Sequence, residues 1–116
     1  MKRGDIYYVD FDPTEGDEIQ KTRPAVIVNT GGVFRQRLHI VVPITSWQPR
    51  FRLDYWMIPL PADSITGLKN ESAGNTFQVK SVSDNRFKNY VGQVSAQQLD
   101  DLVTAIAYCI GFTPQV

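Results

Sequence analysis

Cysteine and histidine are almost absent from this chain of 116 residues, which has one of each. The single cysteine, Cys109, cannot form an internal disulfide, so a disulfide-stabilised secreted scaffold is excluded and the cytoplasm is the expected compartment. So few His and Cys side chains exclude a structural zinc site. Apolar runs also stay well short of the roughly 20 residues that a membrane-spanning helix needs. We therefore expect no metal, no cofactor and no membrane association.

Net charge is lacking too, because twelve Lys and Arg balance twelve Asp and Glu. The charges are nevertheless segregated: residues 1–20 have a net charge of −4, and residues 21–60 have a net charge of +5. The six central cations are Lys21, Arg23, Arg35, Arg37, Arg50 and Arg52. Arginine offers a planar fork of donors that fits phosphate. This segment permits nucleic-acid binding, and a solvated Arg-rich surface is the alternative interpretation.

Short strand patterns dominate the chain, and an amphipathic helix follows them. Segments 6–11, 25–28, 38–45, 55–60, 76–82 and 90–94 are rich in β-branched, aromatic or apolar residues and predict strands. Pro43 cannot donate to a ladder, so the third strand should lie at a sheet edge or be bulged there. Ser95 and Gln98 form a capping-box pattern before apolar residues at helical spacing, and Gly111 ends that pattern. We expect a mainly β, strongly curved small barrel or half-barrel with a C-terminal helix, as one domain over residues 1–116.

One loop and one strand end carry the candidate chemistry. Arg23 closes a polar loop and is held extended by the ring of Pro24. Thr45 and Ser46 occupy a similar place at the end of the third predicted strand. A guanidinium beside hydroxyl groups matches the oxygens of a phosphodiester. The lone histidine, His39, lies inside a strand pattern, where a structural role is favoured over a catalytic one.

An ordered series of short motifs accompanies these residues. The motifs are Arg3-Gly4-Asp5-Ile6-Tyr7, Asp12-Pro13-Thr14, Gly16, Glu18, Thr22-Arg23-Pro24, Ala25-Val26-Ile27-Val28 and Val41-Val42-Pro43-Ile44-Thr45-Ser46. Together they resemble the MazF/PemK/Kid family of toxin endoribonucleases from toxin–antitoxin modules. Weaker matches at Gly67-Leu68, Ser72 and residues 78–82 extend the resemblance over about residues 2–112.

The resemblance implies an SH3-like small barrel, the fold of PemK-type and CcdB-type toxins. It also implies a homodimer, a cognate antitoxin as partner, and sequence-specific, metal-independent cleavage of single-stranded RNA by the ribose 2′-hydroxyl. Arg23 and Thr45 would act at the scissile phosphate. Glu18 falls on an acidic position near the same site, and Gln78 on a substrate-contacting one. Lys21, Ser46, Trp47 and Arg50 are further candidate RNA contacts, since aromatic rings interleaved with cations suit single strands.

The sequence departs from the Kid branch at two positions. Phe77 stands where that branch has a catalytic Asp, and Asp17 stands where it has a His. These differences favour a MazF-type site built on Arg23 and Thr45. Glu18 is a candidate for the general base, which otherwise stays unassigned, because arginine is a poor base. The alternatives are a CcdB-like toxin that poisons gyrase without catalysis, and a silent paralogue that only binds antitoxin.

Overall fold

Antiparallel strands form most of the structure, a computed structural model that describes residues 1–31 and 37–113. The strands are β1 (Asp5–Asp10), β2 (Thr22–Ile27), β3 (Leu38–Ser46), β4 (Met57–Leu60), β5 (Ser72–Asn75), β6 (Lys80–Ser83) and β7 (Phe87–Gln93). Short 3-10 helices span Pro49–Leu53, Thr76–Gln78 and Asp84–Arg86, and one α-helix, α1, spans Ala96–Cys109. Arg35, one of the six central cations, lies outside the described residues.

The strands form one sheet in the order β4-β5-β3-β2-β1-β7, and β6 pairs with β3 as well. Apolar side chains pack on both sides of it: Ile6, Val26 and Leu102 belong to one cluster, and Val9 and Val82 to a second. Within the described part of the chain, no ladder joins the two end strands, β4 and β7. The result is a barrel-like sheet rather than a closed barrel, which confirms the predicted mainly β fold.

Strand β3 is central, although Pro43 led us to expect an edge or a bulge. Strand β2 pairs with one side of it, while β6 pairs with residues 38–41 and β5 with residues 44–46 on the other. Val28 N of the β2 side donates to Ile40 O at 2.9 Å, so the backbone polar groups of Ile40 point towards β2. Successive residues of a strand point these groups to alternate sides, so the nitrogen of Pro43 points to the other side, into the gap between β6 and β5. The expected edge position is therefore wrong, and a change of strand partner accommodates the proline.

The terminal helix confirms the predicted capping box. Gln98 N donates to Ser95 Oγ at 3.1 Å, and Ser95 N donates to Gln98 Oε1 at 2.7 Å. Leu102 is fully buried over Gly74 of β5, where an added Cβ would lie 2.7 Å from Leu102 Cδ2. Ile110, the last apolar residue before Gly111, is 76% exposed. No helix among residues 1–31 and 37–113 has the length and apolar character needed to cross a membrane.

Four predicted strands differ from the observed ones by two or more residues at one end, and one strand was missed. The strand predicted at 25–28 begins earlier, at Thr22. The segment predicted as 55–60 becomes strand only at Met57, and the segment 76–82 divides into a 3-10 turn and β6. The strand predicted at 90–94 begins earlier, at Phe87. Strand β5 has the sequence Ser-Ala-Gly-Asn, which carries no strand signal. Its small residues fit the space beneath α1, so packing rather than intrinsic propensity determines this strand.

Candidate active site

A cavity of about 230 Å³, here called the Arg23 cavity, opens beside the ends of β2 and β3. It is lined by Tyr8, Thr22, Arg23, Pro24, Ile44, Thr45, Ser46, Leu68, Lys69, Asn70 and Ser72. The β2–β3 register pairs Ala25 with Pro43, and its continuation by two residues places Arg23 opposite Thr45. The structure thus brings together Arg23, Thr45 and Ser46, three of the residues singled out in the sequence.

The composition of the Arg23 cavity suits an anion. Two of its lining residues are cationic, Arg23 and Lys69, and none is a carboxylate. Five more carry hydroxyl groups, which can donate to phosphate oxygens. Arg23 itself is half-buried in β2, and its Nε donates to Gln20 O at 2.8 Å. That bond aligns the guanidinium along the preceding loop and does not use the two terminal nitrogens.

Lys69 lies on the loop between β4 and β5 and lines the Arg23 cavity. Two glycines, one in this loop and one in β7, allow the loop to pack closely against β7. An ideal Cβ on Gly67 (φ +69°) would lie 2.1 Å from Val91 O, and one on Gly92 would lie 2.2 Å from Thr66 O. Side chains at these positions would clash with backbone, so the loop needs glycine at both. Sequence reasoning missed Lys69 as a site residue, although the Gly67-Leu68 motif directly before it was noted.

The same loop contains a carboxylate with a perturbed pKa. Thr66 N donates to Asp63 Oδ1 at 2.8 Å, and Ile65 N donates to the same oxygen at 3.0 Å. The bond from the backbone of Thr66 is the main cause that lowers the pKa of Asp63 below its ordinary value of 3.8, and desolvation opposes it. Asp63 thus stabilises the turn that leads towards Lys69.

A second cavity of about 540 Å³, here called the loop cavity, lies between the β1–β2 loop and the segment before β6. It is lined by Asp17, Glu18, Ile19, Phe77, Gln78, Val79 and Lys80. Gln78 Nε2 donates to Asp17 O at 3.1 Å, and Gln78 Oε1 accepts from Ile19 N. Glu18 and Gln78 therefore lie together, but in a different cavity from Arg23 and Thr45.

The β1–β2 loop, residues 11–21, is attached to the sheet largely through its main chain. Arg86 Nη1 donates to Asp10 O at 3.1 Å and to Asp12 O at 2.6 Å, at the start of the loop. Gln78 holds its middle, and Arg23 bonds Gln20 near its end. Lys21 has φ +69°, and its backbone nitrogen donates to Asp12 Oδ1 at 3.0 Å. Its side chain is exposed and lines neither cavity.

Trp47 and Arg50 also lie outside both cavities. Trp47 is half-buried and packs edge-on against Phe51 at 5.8 Å between ring centroids. The guanidinium carbon of Arg50 lies 5.4 Å from the centre of the same ring. Trp56 packs on this cluster as well, whereas Tyr55 is 56% exposed. The segment thus presents an aromatic and cationic surface after β3, as its sequence pattern suggested.

The single histidine and the single cysteine make structural contacts away from both cavities. His39 packs edge-on against Phe87 with 5.1 Å between ring centroids. Cys109 Sγ lies 3.7 Å from the hydroxyl of Thr76, beneath the end of α1. Among the residues that the structure describes, no three His, Cys, Asp or Glu side chains gather as a possible metal site.

Comparisons with known proteins identify relatives of this chain in sequence and in fold. The family model for PemK-like, MazF-like toxins of type II toxin–antitoxin systems matches residues 2–110. Endoribonuclease MazF9 of Mycobacterium tuberculosis is 32% identical over 112 residues, which cover 91% of this chain and 92% of that protein. A crystal structure of MazF from Deinococcus radiodurans has a TM-score of 0.81 at 19% identity, with 97% of each chain covered. An endoribonuclease from a mycobacterial species, in complex with its cognate antitoxin, has a TM-score of 0.76 at 17% identity over 99% of each chain. This chain therefore belongs to the family of PemK-like, MazF-like toxins of type II toxin–antitoxin systems.

Proposed function

We propose that this protein is a toxin endoribonuclease that cleaves single-stranded RNA at specific sequences without a metal ion. The observation that carries the proposal is the Arg23 cavity, in which Arg23 faces the hydroxyl-bearing end of β3 and Lys69 supplies a second cation. Such a cavity fits one phosphodiester. The relation to Endoribonuclease MazF9 supplies the class of reaction.

The reaction is an internal transesterification. The ribose 2′-oxygen forms a bond to its own phosphorus, and the bond from phosphorus to the 5′-oxygen of the next nucleotide breaks. The products are a 2′,3′-cyclic phosphate and a 5′-hydroxyl, so the proton lost at the 2′-oxygen is balanced by one gained at the leaving oxygen. Because the substrate provides the nucleophile, the enzyme needs no activated Ser, Cys or water.

Arg23 and Thr45 would stabilise the charge that develops on the phosphorane oxygens. The terminal nitrogens of Arg23 are not used by its bond to Gln20, and Thr45 adds a hydroxyl donor from the neighbouring strand. Donors fixed in this way act where the charge appears and need little reorganisation. Ser46 would bind the same phosphate, and Lys69 an adjoining oxygen or the next phosphate.

Glu18 is the proposed general base for the 2′-hydroxyl. It lines the loop cavity, whereas the lining that the described residues give the Arg23 cavity contains no carboxylate. Glu18 and Arg23 are five positions apart along the chain, a distance between their Cα atoms of at most about 17 Å when extended. To act as the base, Glu18 must come within about 3 Å of the 2′-oxygen beside the phosphate held at Arg23, so the attacking ribose would lie between the two cavities. Gln78 and Lys21 would lie along the path of the same RNA strand.

Single-stranded RNA is the substrate that this surface suits. In-line attack requires a flexible backbone, and unstacked bases expose edges that side chains can read. Trp47 and Arg50, beside the buried ring of Phe51, offer a stacking and phosphate-binding surface next to Ser46. Stacking of a base on an aromatic side chain contributes about 1–3 kcal/mol.

A homodimer and a cognate antitoxin complete the proposal. The related mycobacterial endoribonuclease was solved with its cognate antitoxin, and we extend this type of partner to the present chain. Apolar side chains left exposed in the single chain favour self-association; they include Tyr55, Phe77, Tyr108, Ile110 and Phe112. The antitoxin would be an acidic, partly disordered chain that covers the basic surface, and the toxin would act in the cytoplasm.

The family match does not favour the alternative of a CcdB-like gyrase poison. The other alternative, a silent paralogue that only binds antitoxin, is distinguished from an active toxin by whether the protein cleaves RNA. The test is incubation of the purified protein with single-stranded RNA in EDTA. We expect fragments that end in a cyclic phosphate, and sequencing of the new 5′ ends will give the recognised motif.

Arg23→Ala should abolish these fragments. The matched control is Arg3→Ala, since Arg3 Nε likewise donates to a backbone oxygen, that of Val28 at 3.1 Å, away from both cavities. RNA left intact by the wild-type protein, or cut equally well by Arg23→Ala, would overturn the proposal.

A further inference from the structure

We propose that Gln78 is a positioning residue that fixes the orientation of Glu18, in addition to lying on the RNA path. The inference rests on the proposed function, because Glu18 has a catalytic task only if the chain cleaves RNA. It is carried by two hydrogen bonds, since Gln78 Nε2 donates to Asp17 O at 3.1 Å and Gln78 Oε1 accepts from Ile19 N. The two partners are the residues immediately before and after Glu18.

Gln78 is attached to a rigid part of the fold. It ends the 3-10 helix Thr76–Gln78, in which Thr76 is fully buried. The hydroxyl and the backbone nitrogen of Thr76 both donate to Trp56 O, at 2.8 and 3.0 Å. Val79 then packs against the core cluster that contains Leu102. Because its backbone is anchored in this way, the side chain of Gln78 fixes its two hydrogen-bond partners relative to the sheet.

Glu18 belongs to a turn that two hydrogen bonds between Glu15 and Glu18 hold together. Glu18 N donates to Glu15 O at 3.1 Å, and Glu15 N donates to Glu18 Oε1 at 3.1 Å. One carboxylate oxygen is thus occupied by the turn, and the other remains for a proton. Ile19 packs against the second core cluster. The amide of Gln78 adds two hydrogen bonds that hold the backbone on both sides of Glu18.

Glutamine suits this task through its chemistry as well as its length. Its amide donates and accepts at once, whereas glutamate at pH 7 only accepts, and methionine does neither strongly. Misplacement of a catalytic group by about 1 Å can cost roughly 10²-fold in rate. We therefore expect Gln78→Met to lower kcat by about 10- to 100-fold with a small change in KM, and Gln78→Glu to fall in between.

The first test measures the clamp without relying on activity. Hydrogen exchange of the Ile19 amide, followed by NMR, should accelerate at least tenfold in Gln78→Met. It should be unchanged in Gln93→Met, because the Gln93 side chain is exposed on β7 and makes no hydrogen bond within the described residues. Unchanged exchange of Ile19 in Gln78→Met would overturn the clamp.

The second test is a double-mutant cycle on kcat with Glu18→Gln. If Gln78 acts through Glu18, Gln78→Met should add less than twofold in the Glu18→Gln background. A full additive loss, or an effect of Gln78→Met confined to KM, would mean that Gln78 acts on RNA alone and would overturn the proposed positioning of Glu18. Full activity of Glu18→Gln would also overturn that role, whereas the proposed nuclease function would still be decided by Arg23→Ala.

Discussion

Arg23 and Gln20 are joined by a 2.8 Å hydrogen bond from Nε of the arginine to the main-chain oxygen of the glutamine. The acceptor is a neutral carbonyl, so the bond orients the guanidinium without neutralising its charge. Pro24 holds the same residue from the other side by restricting its backbone to an extended form. A cation fixed in direction and still fully charged is what a phosphodiester in the Arg23 cavity requires.

Replacement of Arg23 by lysine tests whether the fork of donors matters beyond its charge. Arg23→Lys retains the positive charge but loses the Nε bond to Gln20 and the paired terminal nitrogens. We expect a loss of about 10²–10³-fold in cleavage rate, the range for removal of a fixed electrostatic donor. The rate is measured on a short fluorescent RNA, with Arg3→Lys as the control. Near-normal turnover would show that a point charge suffices.

Thr45→Val should separate catalysis from folding. Valine has nearly the same shape and is equally β-branched, so β3 should keep its pairing with Ala73 of β5. Loss of one hydroxyl donor to a charged oxygen corresponds to about 10- to 100-fold in rate. We expect that decrease in single-turnover cleavage with an almost unchanged Tm. Thr104→Val on α1 is the control, and a large fall in Tm for Thr45→Val would assign Thr45 to structure instead.

Lys69 should contribute to RNA affinity through phosphate. Binding can be measured without cleavage on an RNA with a 2′-deoxyribose at the cut site, because the nucleophile is then missing. Each phosphate contact adds about 0.7 to the slope of log affinity against log salt for a single strand. We expect Lys69→Gln to weaken binding and to make this slope shallower by about 0.7. Lys88→Gln, exposed on β7, serves as the control; equal slopes for both variants would contradict the assignment.

Gly92→Ala should destabilise the fold and displace Lys69. The added Cβ would lie 2.2 Å from Thr66 O and 2.5 Å from Ile65 O, which are backbone atoms that cannot move aside singly. Overpacking of this kind costs about 1–3 kcal/mol or more, which corresponds to a fall in Tm of roughly 4 °C or more. Gly31→Ala is the control, since no atom of residues 1–31 or 37–113 outside its chain neighbours lies within 4 Å of its Cβ position. A Tm within 1 °C of the wild type (about 0.2 kcal/mol) would contradict the close packing.

Asp63 should make the stability of the β4–β5 loop dependent on pH. Its pKa is lowered in the folded protein, chiefly by the backbone of Thr66, so its stabilisation is present above its ordinary value of 3.8 and is lost as the pH falls through the lower folded value. Asp63→Asn should therefore lower Tm at pH 7, and the difference from the wild type should shrink below pH 3.8. Melting curves from pH 7 to pH 2 check this; a difference that persists at pH 2 would contradict it.

Much of the fold follows from local patterns in the sequence. The apolar runs that became β2 and β3 and the capping box at Ser95 are signals that neighbouring residues carry by themselves. Strand β5 was missed because Gly74 has no strand propensity of its own. It occupies the strand because Leu102, far away in the chain, leaves no room there for a side chain. The exact start of β4 was missed because Tyr55 and Trp56 have strand propensity but pack as part of a turn.

The candidate site was predictable to a similar extent. Arg23 and Thr45 were singled out at the edge of a polar loop and at a strand end, and the family resemblance assigned them to the scissile phosphate; the register of β2 and β3 brings them together. Lys69 was not identified, because no pattern of neighbouring residues distinguishes it from other exposed lysines. It reaches the cavity because the β4–β5 loop packs against Gly92 of β7, a contact between distant parts of the chain. The separation of Glu18 from Thr45 into two cavities likewise depends on Gln78, 60 positions further along the chain.

The β1–β2 loop is attached through main-chain atoms, since Arg86, Gln78 and Arg23 all engage its carbonyl or amide groups. Every amino acid offers the same carbonyl, so exchanges at Glu15 or Asp17 leave these attachments intact. Descendants of this protein can accordingly alter which nucleotides they favour by changing outward-facing side chains, while the framework that presents them stays constant.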